Sequence, residues 1–197
     1  MFCQETNKTN SIMKTWITIL IALCACLQVQ AQNTAEERAK AKEEARQEQA
    51  VLDSIYFKQA KTSLENQDFA LEADRVVLRN GATAYVNSNT NFVAVKDDKA
   101  TVQVAFNIPV SGPNGLGGIT LDGSISNYKL TEDKKGNLHV SFDVMGVGIS
   151  ARVTISLANG SNTADLLILP TFNSNELRLS GHILPLKQSS IFKGNAL

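Results

Sequence analysis

The chain has three cysteines, and all of them, Cys3, Cys24 and Cys26, fall within the first 32 residues. Beyond them there is no thiol, so disulfide staples, cysteine nucleophiles and cysteine-bound metals are excluded from the rest of the chain. Histidine is almost as scarce. His139 and His182 stand apart, and neither has the close-spaced partner ligands a catalytic zinc site uses. No Asp-x-Asp-x-Asp-Gly run marks a calcium loop. No cofactor is expected. Aromatic residues make up 6% of the chain and are scattered, which argues against the girdles of an outer-membrane barrel. Charge has no overall sign, with 19 basic and 19 acidic residues. Without a basic stripe, nucleic acid is a poor partner.

Long hydrophobic runs are also missing. The longest, Trp16 to Leu27, is twelve residues, short of the roughly 20 that cross a bilayer. It follows Met13-Lys14 and precedes Val29-Gln30-Ala31. A basic start, an apolar run and small residues before a cut are the three parts of a secretory signal. Residues 1–32 are therefore read as a leader with its functional start at Met13 and cleavage after Ala31 or Gln32. The mature chain has no transmembrane span and is expected in the periplasm or outside the cell. Leu23-Cys24-Ala25-Cys26 resembles a lipid-attachment box, which leaves lipidation at Cys26, and hence a membrane anchor, as the alternative. Removing Lys8, Lys14 and Glu5 with the leader leaves 17 basic and 18 acidic residues.

Past the leader, the chain changes character twice. Residues 33–50 (NTAEERAKAKEEARQEQA) have helix-forming composition but no apolar stripe, and read as a solvated spacer or a frayed helix. Leu52, Ile55, Tyr56, Ala60 and Leu64 then share a helical face, so a helix over 51–65 should dock on the domain after it. Asn66-Gln67-Asp68 stops it.

From Phe69 the period falls to two. Val102, Val104, Phe106 and Ile108 oppose Thr101, Gln103, Ala105 and Asn107. Leu138, Val140, Phe142 and Val144 form another apolar face. The longest alternation runs from Val147 through Ile149, Ala151, Val153 and Ile155 to Leu157. Asn80-Gly81 and Asn159-Gly160 are hairpin dipeptides whose turn needs φ > 0 at both residues. About nine strands result, near 69–79, 82–87, 90–96, 99–109, 118–131, 137–145, 147–158, 162–169 and 176–184. Hairpin-length joins make neighbours antiparallel. The fold class is all-β with an N-terminal helix: a single domain over 51–197, built as an antiparallel meander. A closed or half-open barrel and a two-sheet sandwich both satisfy the pattern, and the long strands favour the barrel. The helix could close an end or an open edge.

Residues that name a chemistry are few. His139, Ser141 and Asp143 have the composition of a catalytic triad, but same-face neighbours on a strand sit nearly 7 Å apart. They should face water, and no Gly-x-Ser-x-Gly elbow accompanies them. The conspicuous loop is Gly112, Pro113, Asn114, Gly115, Leu116, Gly117 and Gly118. It lacks the Lys-Ser/Thr ending and subsequent helix of a phosphate loop. Its glycines permit an irregular connection, and they also suit the mouth of a ligand site.

Gly112–Thr120 (GPNGLGGIT), Asp122–Lys129 (DGSISNYK) and Lys135-Gly136-Asn137 resemble a family of exported Bacteroidetes proteins. So do Ser180–Leu186 (SGHILPL) and Ser190–Gly194 (SIFKG). The family is catalogued as a domain of unknown function, number four-two-five-one, and the likeness covers about Ala60 to Gly194. The resemblance implies a Gram-negative envelope location and a β architecture; it carries over no activity and no functional residue. From the residues themselves, the expected function is a non-enzymatic binding module that takes a small apolar or lipid-like ligand into a barrel, with residues 112–118 at the rim. The alternative is an envelope interaction or assembly protein whose 33–50 segment is a tether. A hydrolase using a carboxylate pair is the third reading, and no motif locates such a pair.

Overall fold

A computed structural model of the chain describes residues 36–77, 81, 83–105, 118–171 and 176–194. Met13, Cys26 and the rest of the leader lie outside the described residues, as do 106–117 with Gly112, Pro113, Asn114, Gly115 and Gly117. Phe106 and Ile108 fall there too.

Residues 36–65 form one helix, α1. Residues 36–50 are exposed on every side, as a charged segment with no apolar stripe must be, and the i,i+4 pair Glu36–Lys40 closes at 3.3 Å. Docking begins later than the expected 51. Ala60 and Leu64 are fully buried and Phe57 packs beside them, but Leu52, Ile55 and Tyr56 remain exposed. The expected face was about half the helix circumference, wider than one flat contact can cover. The helix ends where Asn66 N–H donates to Thr62 O at 3.0 Å and Gln67 takes a left-handed φ of 52°, the position a C-terminal glycine usually fills.

Nine strands come after it: β1 Asp68–Val77, β2 Thr83–Tyr85, β3 Phe92–Lys96, β4 Lys99–Ala105, β5 Gly118–Glu132, β6 Leu138–Gly146, β7 Ser150–Leu157, β8 Thr163–Pro170 and β9 Leu177–Pro185. Every pairing is antiparallel, and β9 returns to pair with β1 from Phe69↔Pro185 to Val77↔Arg178. That pairing closes eight strands into a barrel; the sandwich is excluded. β2 stands outside the ring. It pairs with Arg75–Val77 of β1, while β3 takes Asp68–Glu72. The ladder between β1 and β9 slips at Ala73/Arg75, a bulge of the kind that lets a strand bend around a barrel.

Side chains fill the middle of the barrel. Phe69, Leu71, Leu138, Phe142, Ile155, Leu157 and Ile183 are almost wholly buried there. The α1 helix closes one end. Tyr128 Oη donates to the Leu64 carbonyl at 2.7 Å, and Lys61 pairs with Glu132 at 2.8 Å. Phe142 stacks on Tyr128 with centroids 5.8 Å apart.

Three local expectations are corrected. Gln103 and Ala105 do not face water: both are buried, and so is Thr120. The chain after β9 runs through a short 3₁₀ turn, Leu186–Gln188, and crosses the outer face of β1, β3 and β4. Leu186 and Ile191 pack there on Ala70, Phe92 and Ala94. Gln103 pins this strap with its full hydrogen-bonding capacity. Its amide donates to Thr90 O at 3.0 Å and Phe192 O at 2.8 Å; its carbonyl accepts from Thr120 Oγ1 and Gly194 N–H, each at 2.8 Å. Glu72 accepts from Ser190 N–H at 2.6 Å. Secondly, β7 starts at Ser150 rather than 147, because Gly148 turns left-handed at φ 71° and leaves Val147 exposed. Thirdly, the β7–β8 turn is not the two-residue form. Only Gly160 has positive φ, at 76°, and Ala158 N–H bonds across a longer loop to Thr163 O at 3.3 Å.

Candidate functional site

At the end of the barrel away from α1, the filling stops short. There β4 ends, β5 begins, β6 turns into β7, and β8 and β9 are joined. A cavity of about 80 Å³ opens among Val102 and Val104 of β4, Ile119 and Leu121 of β5, and Ala151 of β7. Ile149, Ile168, Pro170 and Leu177 complete the wall. The space exists because Ala151 puts only a methyl group where its strand neighbours Val153 and Ile155 put branched chains. Every described wall residue is apolar. One water needs roughly 10–15 Å³ and two to four polar partners. This cavity has several times the room and offers no side-chain partner among the described residues, so hydrocarbon suits it better than water does.

Of the glycine-rich loop, Gly118 is the described member. It sits in the ladder opposite Ala105, buried, at the lip of this cavity. A Cβ there would collide with the Val104 carbonyl. The glycine is thus required by the close approach of β4 and β5. The others, Gly112, Pro113, Asn114, Gly115 and Gly117, lie outside the described residues. Sequence reasoning expected a ligand mouth at this loop but could not place the cavity, because its described walls come from five strands, β4, β5, β7, β8 and β9, whose register is set only by folding.

A second cluster lies on the outer face. His139, Ser141 and Asp143 do not assemble: Asp143 is held by Arg152 at 2.8 Å and by Asn127 at 2.9 Å. The Arg152 guanidinium, then Asn127, hold its carboxyl below the usual range. Instead, register sets His139 opposite Ser156. His139 Nδ1 lies 3.1 Å from Ser156 Oγ, and its Nε2 lies 3.6 Å from Asp133. Serine, histidine and aspartate therefore do meet, through residues that spacing along one strand could not reveal. Ser156 nevertheless pairs on both sides, with His139 and with Asp165. In such a strand the backbone N–H groups are spent in the ladders, and none is left to stabilise an oxyanion beside the serine. The cluster works as a cross-strand polar ladder, continued where Ser180 Oγ donates to Asp165 at 2.8 Å.

Asp133 is the most perturbed carboxylate among the described residues. The Asn137 side chain and backbone N–H, with help from Lys135 N–H and His139, lower it to about 2. A folded value below the unfolded one of about 4 means that its ionised form stabilises the fold at higher pH. That contribution should be intact above about pH 4 and lost as pH falls toward 2. Asp133→Ala should thus lower the melting temperature at pH 6 and converge with wild type near pH 2, as followed by circular dichroism. A gap that stays constant across this window would contradict the assignment.

The family model described as "Domain of unknown function (DUF4251)" matches residues 52–183. The crystal structure of a DUF4251 family protein from Bacteroides eggerthii is similar, with 50% sequence identity and a TM-score of 0.65. The match covers 73% of this chain and 96% of that one. No curated protein matches the chain.

Proposed function

The chain belongs to the DUF4251 family, and from that premise we propose a non-enzymatic binding module whose barrel mouth receives the end of an aliphatic, lipid-like ligand. The observation that carries this reading is the all-apolar cavity left at the mouth of an otherwise filled barrel. A filled centre leaves no room for a whole lipid, so the ligand is limited to what about 80 Å³ can admit: the last few methylene groups of a chain. At about 0.8 kcal/mol per buried methylene, three such groups contribute roughly 2.4 kcal/mol, which supports weak and exchangeable binding. Ile119, a wall residue, is also exposed at the surface, and it can shield the next part of the chain. The leader-like segment 13–31 and the absence of cysteine after residue 32 support a site of action outside the cytoplasm.

The test is a titration with dodecanoate followed by methyl NMR. Shifts are expected at Val102, Val104, Ile149, Ile168 and Leu177, with a dissociation constant in the millimolar range, roughly 1–20 mM. Ala151→Leu should fill the cavity, keep the fold and reduce affinity at least roughly tenfold. Shifts scattered over the outer face, or undiminished binding by Ala151→Leu, would rule the site out.

A further inference from the structure

We propose that the face of α1 bearing Val51, Leu52, Ile55 and Tyr56 is a contact surface for a second copy of this chain, in an antiparallel helix pair. These four side chains are 60%, 45%, 45% and 41% exposed, while two turns later the same helix buries Ala60 and Leu64 completely. Apolar residues on successive turns of a helix are ordinarily placed there to be covered.

The spacing identifies what covers them. The pattern Val-Leu-x-x-Ile-Tyr is symmetric about the point between Asp53 and Ser54. A two-fold axis passing there sets Leu52 against Ile55 of the second copy and Val51 against Tyr56 of the second copy, each contact made twice. That is the self-complementarity an isologous interface requires. Charge agrees with this direction. Glu48 precedes the patch and Lys58 comes after it, at nearly equal distance from the axis. Antiparallel pairing brings Glu48 of one copy opposite Gln59 of the other, one residue from its Lys58 and within side-chain reach of it; parallel pairing would oppose like charges. Four side chains per copy make less than a standard interface of about 1,600 Å², so the dimer is weak, with a dissociation constant of roughly 10–100 µM.

Sedimentation velocity of the purified protein across this concentration range is the experiment. A monomer–dimer equilibrium is expected for wild type. Leu52→Glu and, independently, Ile55→Glu should each weaken it at least roughly tenfold; both positions are exposed, and circular dichroism checks that the barrel is retained. Lys58→Glu should weaken the dimer, and adding Glu48→Lys to it should restore the dimer. A wild-type chain that is monomeric throughout overturns the proposal, as does a dimer indifferent to Leu52→Glu and Ile55→Glu. A dimer that loses affinity with Lys58→Glu but is not rescued by the double exchange overturns the antiparallel arrangement.

Discussion

Replacing Phe142 with alanine is expected to destabilise the barrel by about 3–5 kcal/mol, a large share of the 5–15 kcal/mol that holds an ordinary domain. Phe142 is 1% exposed, lies midway along β6, and its ring stacks on Tyr128. The loss therefore combines transfer of the ring to water with a cavity that closed strands on all sides cannot collapse to fill. It also removes one wall of the site that holds Tyr128, whose hydroxyl ties the last turn of α1 to the barrel. Urea unfolding should show a lower midpoint with an unchanged slope, and amide exchange should quicken first around Leu64. Phe142→Leu keeps most of the volume and should cost about 1–2 kcal/mol. If the alanine variant lost less than the leucine variant, the interior would not be the packed core described.

The second large effect concerns Gln103. Gln103→Ala is expected to cost about 2–4 kcal/mol, because it leaves Thr120, Gly194, Thr90 and Phe192 without their common partner under a covered surface. The loss should be local before it is global. Amide exchange at Ser190, Phe192 and Gly194 should rise by orders of magnitude, while protection in β6 and β7 stays close to wild type. Gln103→Glu is the sharper variant. It keeps shape and the acceptors for Thr120 and Gly194, but turns an oxygen toward two carbonyls, so it should loosen the strap at neutral pH as well. Strap exchange unchanged in both variants would mean that Gln103 does not hold it.

The two residues differ in how far the sequence announced them. Phe142 lies in a strict alternation with Leu138, Val140 and Val144, which fixes both the strand and its inward face. Gln103 lies in an alternation equally clean, and that pattern sends it to the solvent. What buries it is a C-terminal segment without periodicity, held by polar bonds between distant residues, and such bonds leave no local signal. The meander was legible because each hairpin is decided by its own turn and the runs beside it. Strand length favoured the barrel over the sandwich, but the closing seam itself was not legible, because it rests on β1 meeting β9. The same limit applies to the candidate site. Ala151 reads as one more inward residue on β7, and only the ring of strands around it makes its small size a cavity. The exposed turn of α1 was read too widely for a related reason: an apolar face along a helix does not say how much of it the adjoining barrel reaches.

The β1–β9 seam has a kinetic consequence. Arg75 and Ser180 are ladder partners 105 residues apart. Every other seam in the ring joins strands that lie near each other along the chain, so the meander can zip locally while this closure waits for the final strand. Until β9 arrives, β1 and β8 each present an open edge able to recruit a foreign strand. A chain released short of residue 177 would keep those edges permanently, which makes the segment from Leu177 onward a safeguard against aggregation as much as a part of the wall.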